Sequence, residues 1–437
     1  MVRTGSKTLQ SVLVTLGFCL ALASLGGAAG LVGSPHDLSA AQSSDACRYC
    51  HTPHATAVVT PGWTMQLSDM VYRIYQSSSL EANVGQPTGA SKICLSCHDG
   101  TVALPFSQSG GGHGAYLAPG QANLGTDLSD DHPISFVYSD ALAFKDTQLR
   151  PASSLPEPLK LDHGGELQCT TCHNAHDNQF GDFLVMPNQR SEMCTTCHNL
   201  LGWFGSSHES SASSVAGSRN VYLSHGTYQT VSDYACQSCH RPHSAEGRER
   251  LLHFRRAEEN CLSCHDGSVA QSNILAQLLL PSRHDVMAYR DIHDITESPL
   301  TSARHVDCSD CHNPHATTSF TAQAPLVSGT MQRVKGVTAA GGAIEQARYE
   351  YEICFKCHAD NPTRINSRIA RVITQTNARL EFEGSGPSFH PVVMQGVNKN
   401  VPSLRPPLTV SSLIYCTDCH SSSSESQGKG PHGSAYT

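Results

Sequence analysis

The sequence predicts a fold of mostly irregular backbone with short α-helices, arranged as four repeated two-site units plus one. Its core should not be built mainly from side chains. Three observations predict this. Gly (35) and Pro (23) are frequent and only 6% of residues are aromatic, with serine runs between, so long amphipathic helices and alternating strands cannot be traced. A five-residue pattern, Cys-x-x-Cys-His, recurs nine times along the 437 residues. Those recurrences leave about 45 residues each, too few for ordinary domains of 100 or more.

The recurring pattern falls at Cys47, Cys50 and His51; Cys94, Cys97 and His98; Cys169, Cys172 and His173; Cys194, Cys197 and His198; and Cys236, Cys239 and His240. It continues at Cys261, Cys264 and His265; Cys308, Cys311 and His312; Cys354, Cys357 and His358; and Cys416, Cys419 and His420. These motifs use every one of the 19 cysteines except Cys19. Two thiols with two residues between them can each form a thioether to one vinyl group of a single porphyrin, and the adjacent histidine then supplies an axial nitrogen. A zinc or dithiol reading would pair the cysteines into four-ligand sets. It would leave each adjacent histidine without a reason. Nine covalent haems c follow as the expected cofactor, and the core of the fold is then largely porphyrin: a haem-cored multihaem cytochrome c. Folding should depend on haem, much as small metallodomains depend on their metal. The motifs should start short helices, as at 256–265, where Glu258 and Glu259 precede the cysteines.

The N-terminus reads as a secretory signal over residues 1–30. Arg3 and Lys7 give a basic start, Leu9 to Leu25 is nearly continuous apolar sequence, and small residues follow at Gly26 to Gly30. The apolar run is short for a membrane span. Phe18 before Cys19 does not suit a lipoprotein site. The expected location is therefore exported, either periplasmic or extracellular at the outer surface. The formal net charge of −8 becomes more negative once haem propionates are added. No basic patch suggests nucleic acid.

Duplication organises the chain. Four motifs carry a further histidine three residues after the first, at His54, His176, His243 and His315, and each is followed by a plain motif. CLSCHDGTVA at 94 recurs as CLSCHDGSVA at 261. The resulting units are 31–160 (haems 1 and 2), 161–222 (3 and 4), 223–283 (5 and 6), 284–375 (7 and 8) and 376–437 (haem 9 and tail). Stretches 107–114, 328–343 and 421–437 read as loops.

Nine of the 25 histidines are proximal, which leaves enough to give every iron a second imidazole. Three residues of chain span at most about 10 Å. His54, His176, His243 and His315 therefore cannot wrap round the haem of their own motif, and each is expected to ligate a neighbour. The first haem of each pair and the ninth then need ligands from elsewhere. His36, His132, His225, His293 and His390 are the candidates, each lying upstream of a motif that begins a pair or of the ninth. His163, His208, His284, His305 and His432 are the alternatives, while His113 and His253 read as ordinary loop histidines.

The paired motifs, with CHTPH, CHNPH, CLSCHDG and the DHP and FHP segments, resemble the doubled-CxxCH family of multihaem cytochromes, whose relatives include periplasmic and outer-surface cytochromes of metal-respiring bacteria. The resemblance covers essentially the whole mature chain. It implies bis-histidine, low-potential haems that conduct electrons to redox partner proteins or to external acceptors such as metal ions or oxides. Some relatives polymerise, which makes self-assembly into filaments a further expectation. The chain thus reads as an electron-transfer protein rather than an enzyme. The competing reading is a reductase of a nitrogen or sulfur oxyanion with one open-coordination haem. Lysine in place of a motif histidine often marks such a site, and no CxxCK occurs.

Overall fold

The computed structural model describes residues 30–38, 46–51, 62–104, 116–290, 292–303, 305–361, 372, 375, 377–423, 428 and 430–436. Residues 1–29, which cover all but the last residue of the expected signal segment and include Cys19, lie outside the described residues, as do His54, the 107–114 stretch and His113.

Regular structure is sparse, for the reasons the composition gives. The two longest helices among the described residues are Gly89–His98 and Glu350–His358. Both end on a motif histidine. Most others are one or two turns with identifiable ends. Asp140–Asp146 starts at Ser139, whose hydroxyl accepts the Leu142 N–H, a capping bond that satisfies one otherwise orphaned donor. It stops where Thr147 turns left-handed at φ 62°. Ala257–Leu262 carries Glu258 and Glu259 in its first turn, where negative charge suits the helix dipole. Among the described residues there are three sheets of two strands each. Arg73–Ile74 pairs in parallel with Asp127–Leu128. Phe136–Val137 pairs antiparallel with Glu166–Leu167, as does Gly336–Val337 with Ala343–Ile344.

The apolar core is a set of small islands. The largest joins Val337, Tyr351, Phe355, Ala359 and Val392; another joins Val215, Leu223, Val231 and Tyr234. The rims of these islands take in motif cysteines: Cys97, Cys197, Cys264, Cys308, Cys311 and Cys416. A chain of this length ordinarily buries one or two continuous cores. Here the islands end where a porphyrin bonded to those sulfurs would begin, so haem and side chain together make up the interior.

Candidate haem-binding sites

Each described motif is one helical turn. The histidine N–H donates to the carbonyl of the first cysteine at 2.8–3.0 Å in the motifs ending at His51, His173, His198, His240, His265, His312 and His420. Residues at i, i+3 and i+4 of such a turn share one face. Both thiols and the imidazole therefore point to the same side, as one porphyrin requires.

The motifs also meet one another in a regular way. At the even-to-odd junctions the first cysteines lie side by side: Cys94 with Cys169, Cys194 with Cys236, Cys261 with Cys308, and Cys354 with Cys416. At the odd-to-even junctions the second cysteines are the neighbours: Cys50 with Cys97, Cys172 with Cys197, Cys239 with Cys264, and Cys311 with Cys357. The motifs therefore follow one another in space in the order they follow in sequence, alternating between their two thiol edges. At the last junction Glu350 helps to fix the ninth motif, accepting the Thr417 N–H at 3.0 Å.

Opposite the proximal imidazoles stands a second set. Two imidazoles bound at about 2 Å to opposite faces of one metal have ring centroids about 6 Å apart. His98 faces His36 at 5.9 Å, His51 faces His176 at 6.1 Å, and His198 faces His132 at 6.2 Å. His173 faces His243 at 6.2 Å, His265 faces His208 at 6.1 Å, and His240 faces His315 at 6.1 Å. His358 faces His284 and His312 faces His432, both at 6.0 Å. The donor set, its spacing and the thiols beneath it fit haem c.

The rings are oriented for this role. A histidine whose Nδ1–H is donated leaves the Nε2 lone pair for a metal. Nδ1 donates to a backbone carbonyl at His98 (Ala122, 2.7 Å), His173 (Asp182, 2.8 Å), His240 (Arg250, 2.7 Å) and His312 (Thr330, 2.8 Å). Among the facing rings, His208 donates to Pro314 at 2.9 Å and His132 to its neighbour Pro133 at 3.0 Å. His243 differs: its Nδ1 lies 3.0 Å from Oδ1 of the buried Asp131 carboxylate. Burial pushes His198, His265 and His432 down to about 4 and His315 to about 3. These imidazoles are neutral at neutral pH, the form that binds metal.

The sequence-derived candidates separate on this geometry. His36, His132, His176, His243 and His315 stand opposite proximal rings. His36 and His132 face the second motif of a pair, whereas the sequence assigned them to the first. His176, His243 and His315 face the first motif of the preceding pair, two motifs back in the chain. His225 and His390 are exposed, with His225 Nδ1 3.1 Å from Ser224 Oγ, and neither faces a proximal ring among the described residues. His293 packs against His305 instead. Their places are taken by His208, His284 and His432, from the set of alternatives. The exposed His420 has no facing imidazole among the described residues, and His54 lies outside them. His253 is buried (7%) and bonded through Nε2 to the Gln237 carbonyl at 2.8 Å, so it is a packing residue rather than a loop histidine.

Comparison with known proteins finds the same recurring motif elsewhere. Residues 163–201 and 229–270 match the family described as the doubled CXXCH motif. Over those two segments the chain carries the doubled-CxxCH signature of multihaem cytochromes. It is also 26% identical over 136 residues to the multiheme cytochrome MtrA of Shewanella baltica (strain OS185). That match takes in 31% of this chain and spans 27% of the relative's length. Among the described residues, no helix of the cytochrome is long and apolar enough to cross a membrane.

Proposed function

We propose that this cytochrome carries nine covalent haems c and passes electrons along them in sequence order, from the motif at Cys47 to the motif at Cys416. The observation that carries the reading is the facing imidazoles: eight proximal rings each have a second imidazole at 5.9–6.2 Å. Haem held by two histidines supplies an iron that cycles between ferric and ferrous with both axial positions filled. His36, His132, His176, His208, His243, His284, His315 and His432 are the distal ligands in this reading. Adjacent cysteines then bring each macrocycle edge to its neighbour, which favours conduction over substrate binding.

The signal-like N-terminus and the relation to a multihaem cytochrome support an exported protein of the periplasm or outer surface. Its partners would be redox proteins or external acceptors such as metal ions or oxides. The dithionite-reduced protein should take up little carbon monoxide, yet reoxidise readily with chelated ferric iron. Rapid carbon monoxide binding together with nitrite turnover would overturn the reading in favour of a reductase. The exposed ninth motif, with no facing imidazole among the described residues, is where that second reading would have its open iron.

A further inference from the structure

Beside the seventh motif, four side chains converge, none of which faces a motif histidine among the described residues. His293 Nδ1 lies 3.2 Å from His305 Nε2. His305 Nε2 lies 3.4 Å from Glu297 Oε1 and 3.9 Å from Asp310 Oδ2, and His293 Nδ1 lies 3.8 Å from Glu297 Oε1. All four donor atoms fall within 4.8 Å of one another. The side chains are mostly withdrawn from solvent, at 10% exposure for His293, 14% for His305, 23% for Glu297 and 10% for Asp310.

We propose that His293, Glu297, His305 and Asp310 form a non-haem site for one divalent first-row cation, with zinc the best match. The distances separate this site from the haem sites. Two nitrogens on opposite faces of one iron stand about 4 Å apart, whereas two ligands sharing an edge of a zinc tetrahedron stand about 3.3 Å apart. The His293–His305 and His305–Glu297 separations match the tetrahedral edge, and two imidazoles with two carboxylates are a common zinc donor set.

The tautomer of His305 is an independent indication. Its Nδ1 donates to the Ala303 carbonyl at 3.1 Å, which leaves Nε2 unprotonated and aimed into the cluster. Tyr289 stacks on the ring at 4.2 Å and holds its plane. This support of a ligand ring through its other nitrogen is typical of metal-bound histidine. Lys356 donates to Oδ1 of Asp310 at 3.2 Å; Oδ2, which faces the cluster, accepts the Asp307 N–H at 2.9 Å and keeps a second lone pair for a cation. Two carboxylates brought close in a partly buried site favour a cation between them.

The site has a consequence for the haem chain. Asp310 lies between Cys308 and Cys311, inside the attachment loop of the seventh motif. A bound cation would place positive charge beside that haem and tie segment 293–305 to it.

The test uses the full-length haem-loaded protein, stripped with chelator and dialysed against zinc ion alone, with zinc measured per haem by mass spectrometry. One zinc per chain is expected. His305→Ala and Glu297→Gln should each weaken binding at least tenfold while the haem count and the low-spin signal stay unchanged. If His305→Ala fails to load haem, Glu297→Gln decides alone. Zinc binding undiminished in Glu297→Gln, or no stoichiometric binding in the parent, would overturn the proposal. A new high-spin haem in His305→Ala or His293→Ala would also overturn it, because the imidazole would then belong to an iron.

Discussion

The even-numbered and odd-numbered motifs find their facing imidazoles in opposite directions along the chain. Motifs two, four, six and eight look upstream, to His36, His132, His208 and His284, each in the segment that leads into its own pair. Motifs one, three and five look downstream, to His176, His243 and His315, each just after the first motif of the following pair. The seventh also looks downstream, to His432 in the tail. Upstream closure wraps a pair in its own leader, whereas downstream closure hangs each pair on the next. The two-haem repeats are therefore legible as units of sequence but are not independently closed units of structure. Boundaries drawn at residues 160 and 222 cut His132 and His208 away from the motifs they face.

Breaking a downstream link should have the largest effect. His243 sits where segments 130–132 and 242–245 are pinned together, by His132 N–H to the Pro242 carbonyl at 2.8 Å and Ala245 N–H to the Asp130 carbonyl at 2.9 Å. His243→Ala should turn one iron of nine high-spin, at the haem on Cys169 and Cys172 rather than that on Cys236 and Cys239. It should also lower stability by about 4 kcal/mol, the scale of lost metal ligation. Paramagnetic resonance with thermal unfolding would check both. A high-spin haem at Cys236 would break the comparison.

Breaking an upstream link should cost less. His208 rides on the single turn Ser207–Ser210, capped by Ser206, and removing its ring loosens that turn and one hydrogen bond to the Pro314 carbonyl. His208→Ala should turn the haem on Cys261 and Cys264 high-spin while stability falls by about half as much. An equal or greater loss than in His243→Ala would remove the distinction between the two directions.

The downstream histidines were readable because their offset from the motif is fixed. Three residues cannot carry an imidazole round a porphyrin, so His176, His243 and His315 were expected to serve another iron, and each faces the motif histidine of a different motif. Which iron could not be read, because it depends on how successive pairs stack. The upstream facing histidines lie at unequal distances from their motifs, in connecting segments whose length is free so long as the ring arrives. His284 and His293 have nearly the same flank, His-Asp-Val against His-Asp-Ile. Yet His284 faces His358 while His293 joins Glu297 and His305. The short helices and scattered islands followed from Gly, Pro and the scarcity of aromatics, because those exclude a continuous side-chain core.

Smaller effects sharpen the picture. Among the facing rings, His243 is bonded to a carboxylate, Asp131, and a carboxylate on Nδ1 makes the imidazole a stronger donor that favours ferric iron. Asp131→Asn should raise the potential of the third haem by about 60 mV, a tenfold shift in a one-electron equilibrium. A spectroelectrochemical titration showing no wave displaced would contradict it.

The smallest effect concerns His253, which belongs to neither set. Burial holds its imidazole below the ordinary value of 6.5, so the folded state keeps it neutral while the unfolded chain takes up a proton. Its contribution is thus complete above pH 6.5 and declines as pH falls below it. His253→Gln should flatten the stability profile in that range by far less than the loss of any axial ligand. An unchanged slope in denaturant titrations would remove the assignment.

The central claim is that paired histidines close the irons along one line, and the spin state of the oxidised protein tests it most directly. Low-spin ferric signals integrated against the pyridine haemochrome iron should account for at least eight of nine haems, matching the facing pairs. High-spin signal amounting to two irons or more would contradict the account.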